Sequence, residues 1–84
     1  MRNTFELLYK GMRAQIEKLE ENSHKDDWED MDLQTLFTHL CDEVDELEQE
    51  VTQNGTFLAL RREAADVANF AHMIIALCNK ELTT

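Results

Sequence analysis

The sequence predicts an all-α fold with three main helices per chain. The last two form an antiparallel hairpin, and a four-helix bundle is completed by oligomerisation. Three observations predict this. The 84 residues contain no Pro, and only Gly11 and Gly55 among glycines. Apolar residues recur every three or four positions in three separate segments, which is the spacing of a helix face. Polar stretches carrying caps and stops, not alternating strand patterns, lie between the segments. One domain, residues 1–84, is expected at this length. Its core is too thin to bury all its apolar surface without partner copies.

The first helix follows from Phe5, Leu8, Tyr9, Met12, Ile16 and Leu19, one stripe at spacings of three and four. Asn3 followed by Glu6 resembles a capping box, and the helix should fade near Asn22. Residues 22–32, NSHKDDWEDMD, are polar and turn-like. Asp32 is placed to cap a second helix, with Met31 and Leu36 as its staple. Leu33, Leu36, Phe37, Leu40, Val44, Leu47 and Val51 carry that helix's stripe. The run QNG at 53–55 stops it, with Gly55 expected in the left-handed conformation of a helix end. Thr56 is placed to cap a third helix running to about Asn79. A short connection makes the last two helices antiparallel neighbours.

Charge narrows the function classes. The formal charge is -10 at pH 7. Neither a nucleic-acid backbone nor an anionic membrane is an expected partner of such a surface without an intervening cation. No apolar run is long enough to span a bilayer, and no signal peptide is read at the start. Cys41 and Cys78 match no zinc spacing and are expected as reduced, packed thiols, which suits the cytoplasm.

Six acids crowd the nine positions from Asp42 to Glu50, with no Lys or Arg between Lys25 and Arg61. At about 100° per residue, Glu43, Glu46 and Glu50 border the apolar stripe, while Asp42, Asp45 and Glu48 point to water. On the third helix Glu63 falls inside the apolar stripe and Asp66 one step off it. A carboxylate there must be protonated, paired with a base, or bound to a metal, because burying it alone costs several kcal/mol. Glu43 and Glu46 share one helix face, and Glu63 and Asp66 share another. Counted from the turn at Gly55, the two pairs reach about the same height. Four carboxylates converging from two helices suit a hard cation with oxygen ligands, Mg²⁺ or Mn²⁺.

Glu43-x-x-Glu46, sixteen residues, then Glu63-x-x-Asp66 resembles the motif of the MazG-like all-α nucleoside triphosphate pyrophosphatases. NSHKDDWED and ADVANFAHMI are similar to stretches of small, often phage-encoded members. The resemblance implies a Mg²⁺-dependent pyrophosphohydrolase, turning a (deoxy)nucleoside triphosphate and water into a monophosphate and pyrophosphate. It implies that Glu43, Glu46, Glu63 and Asp66 hold the metal. It also implies nucleotide-pool house-cleaning or phage nucleotide metabolism as the setting.

For the substrate, Lys25, Arg61 or Arg62 are candidates to meet phosphate oxygens, and Trp28 to stack on a base with His24 beside it. Trp28 has the alternative of folding onto the core. Asn69, one turn beyond Asp66, is either a substrate contact or a helix-packing hydrogen bond. A third helix that is apolar nearly all round, with Ala64, Ala65, Ala68, Ile75 and Ala76 away from Glu63, points to a homo-oligomer, built as a dimer of dimers. In such an assembly the Trp28 loop of one chain is placed to close over the carboxylates of another. Two alternatives stand beside this reading. One is a non-enzymatic acidic helical oligomerisation module. The other is the same fold acting on a different phosphoanhydride, such as phosphoribosyl-ATP.

Overall fold

The computed structural model describes residues 4–22 and 30–83. Three helices carry nearly all of them: α1 (Thr4–Asn22), α2 (Leu33–Thr52) and α3 (Phe57–Leu82). There is no strand among the described residues. The all-α, three-helix expectation is therefore met.

The starts of α2 and α3 are set by their caps. Asp32 is extended (φ -80°, ψ 171°), and its Oδ1 accepts from the Thr35 N–H at 2.8 Å. Thr56 does the same for α3, its Oγ1 accepting from the Ala59 N–H at 3.1 Å. Each side chain satisfies a backbone donor that has no partner inside its helix. The proposed Asn3 cap of α1 lies outside the described residues.

The end of α2 differs from expectation in one residue. Asn54, not Gly55, takes the left-handed conformation, with φ 55°. The Gly55 N–H then donates to the Glu50 carbonyl at 2.8 Å, closing the helix with the six-residue hydrogen-bonded loop of a Schellman motif. One left-handed residue suffices, and Asn tolerates that region better than other side chains. Gly55 sits close against the helix end: an added Cβ would have to displace the Glu50 carboxylate and would lie 3.0 Å from the Glu50 carbonyl oxygen. α3 runs three residues past Asn79, since KEL contains no breaker and Lys80 suits the negative end of the helix.

α3 is the central element and packs against both α2 and α1. Ladders of contacts show that both neighbours run antiparallel to it. From α1, Gln15 meets Asn69 and Lys18 meets Asp66. From α2, His39 stacks on Phe70 with centroids 5.4 Å apart. The expected α2–α3 hairpin is therefore present.

The face that α1 turns to α3 is not its apolar stripe. Ala14, Gln15 and Lys18 point inward, and Ala14 is buried. The stripe centred on Met12 is rotated away by roughly 120°, from the 100° step per residue. Among the described apolar residues only Ala14, Leu36 and Ala65 are fully buried. Cys41 and Cys78 are free thiols, and both are exposed rather than packed.

Candidate metal centre

The α2–α3 hairpin brings Glu43, Glu63 and Asp66 together. Each offers a carboxylate oxygen, and these atoms all lie within 4.8 Å of one another. The caps at Asp32 and Thr56 and the turn at Asn54 fix where each helix begins and ends. Within each helix, the three-residue spacing puts the acids on the shared side. Glu46 lies within hydrogen-bonding reach of Glu43 and Glu63. It is exposed and stands at the rim, outside the group of three.

The electrostatics are those of a site short of positive charge. Glu43 Oε2 and Glu63 Oε2 are buried and accept no hydrogen bond from any described residue. Burial pushes the Glu43 carboxyl up to about 7, helped by Glu46, Asp66 and Glu63. Glu63 is raised by the same causes, burial first and then Glu46. Like charges held this close oppose one another's ionisation. Asp66 is raised by burial, with Lys18 acting against the rise.

Lys18 went unnoticed in the sequence. Its Nζ lies 3.5 Å from Asp66 Oδ2 and 3.6 Å from Glu21 Oε2, and its side chain is only 16% exposed. It is the one basic side chain ion-paired to the three-carboxylate group among the described residues. A signal was present: Gly11, Ala14, Gln15 and Lys18 form a second, small and polar face of α1, suited to close packing. The stripe on the other side hid it.

The remaining candidates are placed as follows. Arg62 is held by Glu21 through two hydrogen bonds of 3.2 and 3.1 Å, and its charge is still felt at Asp66 and Glu63. Arg61 pairs with Glu17 at 3.2 Å. Asn69 is buried; its Nδ2 donates to the Gln15 carbonyl at 3.0 Å and its Oδ1 accepts from Gln15 Nε2 at 3.5 Å. Both ends of that amide are occupied by α1. His24, Lys25 and Trp28 lie outside the described residues.

The donor set fits a hard divalent cation. All donors are carboxylate oxygens, they come from two rigid helices, and two buried oxygens lack a partner. No family model matches the chain, nor does any curated protein or solved structure. No described helix is long and apolar enough to cross a membrane.

Proposed function

We propose that this chain is a Mg²⁺-dependent nucleoside triphosphate pyrophosphohydrolase, with Mn²⁺ as an alternative metal, working as a cytoplasmic homo-oligomer. The observation that carries the reading is the convergence of Glu43, Glu63 and Asp66, two of them with a buried oxygen that accepts no bond. The motif's resemblance to the MazG-like enzymes supports it. A bound divalent cation would neutralise the phosphates and lower the pKa of a coordinated water.

The chain's own residues supply the rest. Glu43, Glu63 and Asp66 hold the cation. Glu46, at the exposed rim, is placed to take a proton from an attacking water. Lys18 and Arg62 put positive charge on the α1 side of the cluster, where an incoming triphosphate needs it. The test is a panel of nucleotides assayed for pyrophosphate release, with and without EDTA. Glu63→Gln should abolish turnover and leave helix content intact. Full activity in EDTA, or in that variant, refutes the assignment.

The uncovered stripe of α1 favours a second reading, a non-enzymatic helical interaction module. The two separate on one measurement. A metal site raises the melting temperature when Mg²⁺ or Mn²⁺ is added, whereas a scaffold gains nothing beyond the effect of salt.

A further inference from the structure

We propose that the Glu21 carboxylate stands where the outer phosphates of the substrate bind, held in their place by Lys18 and Arg62. This rests on the proposed action on nucleoside triphosphates. It adds the position of the anion and the residue that must leave to admit it.

Two pairs of helical neighbours build the site. Lys18 and Glu21 are three residues apart on one face of α1, and Arg62 and Asp66 four apart on one face of α3. The antiparallel packing sets the pairs against each other. Arg62 donates from Nη1 to Glu21 Oε1 at 3.2 Å and from Nη2 to Glu21 Oε2 at 3.1 Å. Lys18 Nζ stands 3.6 Å from Glu21 Oε2 and 3.5 Å from Asp66 Oδ2. One anion is thus gripped by a guanidinium fork and an ammonium. That ammonium is shared with a residue of the three-carboxylate group.

The grip suits a phosphate at least as well as a carboxylate. A guanidinium fork takes either anion through two parallel bonds. A phosphate group brings a further oxygen for Lys18 and more negative charge. Because Lys18 touches both Glu21 and Asp66, an anion in the place of Glu21 lies beside the carboxylate cluster. The outer end of a triphosphate belongs there if its inner end is at the cluster.

Glu21 is also easy to displace. Its side chain is 47% exposed and that of Arg62 46%, and exposed ion pairs contribute little to stability. It lies in the last turn of α1, the negative end of the helix, where an acid is disfavoured. α1 does not need it as a clamp, since buried Ala14 and the Gln15–Asn69 bonds dock the helix on α3. Lys18 is only 16% exposed and keeps Asp66 as a partner when the acid leaves.

Calorimetry of the full chain with inorganic pyrophosphate and Mg²⁺ reads the site without turnover. Glu21→Gln should tighten binding by about 3- to 10-fold, because two exposed pairs no longer compete. Arg62→Ala should weaken it, and adding Glu21→Gln to Arg62→Ala should recover little, since the competition acts mainly through the fork. Glu48→Gln removes the same charge from an exposed position of α2 and serves as the control. A non-hydrolysable nucleoside triphosphate should respond to Glu21→Gln as pyrophosphate does, and a nucleoside monophosphate should not. Weaker or unchanged pyrophosphate binding in Glu21→Gln, or tightening no greater than in Glu48→Gln, overturns the proposal. A monophosphate that responds as strongly as the triphosphate overturns the placement of the outer phosphates. These outcomes are separate from the proposed reaction. A chain that binds pyrophosphate in this pattern but releases it from no nucleotide keeps the anion site and loses the enzyme. One that turns nucleotides over with Glu21 indifferent keeps the enzyme and loses the site.

Discussion

Replacing Glu43 with Gln should stabilise the metal-free protein, and only above a defined pH. In the fold its carboxyl is raised from 4.5 to about 7, chiefly by burial and then by the neighbouring acids. Between those values the native state holds a proton that the unfolded chain has released, so stability falls as pH rises through the window. The stabilisation is fully present below 4.5 and lost above about 7. Gln carries no such charge at any pH. The size of the shift sets a ceiling of roughly 3 kcal/mol, at about 1.4 per pH unit. Partial solvent access and coupling to Glu46 and Glu63 reduce this to about 1–2 kcal/mol. In a domain this small that is a rise in melting temperature of about 5–10 °C at alkaline pH. Melts in EDTA, followed by far-ultraviolet circular dichroism at about pH 4 and pH 8, read the effect directly. Saturating Mg²⁺ should then reverse the order, stabilising the wild type more than the variant. A variant less stable than wild type at the higher pH, or an advantage equal at both, would refute the idea of a strained carboxylate cluster.

Lys18→Met removes the ion-paired base from Asp66. It should lower the metal-free melting temperature at neutral pH and enlarge the increment gained with Mg²⁺; an unchanged increment in a thermal melt would show that Lys18 and the cation do not compete. Asn69→Ala removes a buried amide that bonds both the carbonyl and the side chain of Gln15; the Gln15 carbonyl keeps its helix bond, so the loss in urea unfolding should be about 1 kcal/mol, and no loss at all would mean that water replaces the amide. At the α2–α3 turn, Asn54→Val should destabilise by about 1–2 kcal/mol and Asn54→Gly by nothing, because only the former is strained at positive φ; equal denaturation midpoints for the two would contradict the conformation seen there.

The hairpin was legible in the sequence because its signals are local. Asp32, Thr56 and the QNG stop each act within one helical turn, and fixed helix ends put Glu43 at the height of Asp66. The place of α1 was not legible. Ten residues, 23–32, most of them polar, separate α1 from α2, so no local rule sets the register of Lys18 against Asp66 or of Gln15 against Asn69. The apolar stripe also misdirects, because in an isolated chain the most apolar face is expected to pack inward. Here that face stays largely exposed among the described residues, and a small, polar one is docked. Asn69 shows the converse: read from sequence it was open between two roles, and α1, whose position was unknown, occupies both ends of its amide.

The turn at residues 53–55 also bears on how this chain can change length. A residue added within a helix advances everything beyond it by 1.5 Å and turns it by about 100°. The turn has little slack to absorb such a change, since the Gly55 N–H is bonded to the Glu50 carbonyl and Asn54 is held at positive φ. An insertion there would throw Glu63 and Asp66 out of step with Glu43. Surface connections normally tolerate insertions, but this one acts as a gauge block between the two halves of the cluster. Length variation, fusion tags and inserted reporters belong instead ahead of Asp32 or after Leu82, where no carboxylate spacing depends on the count.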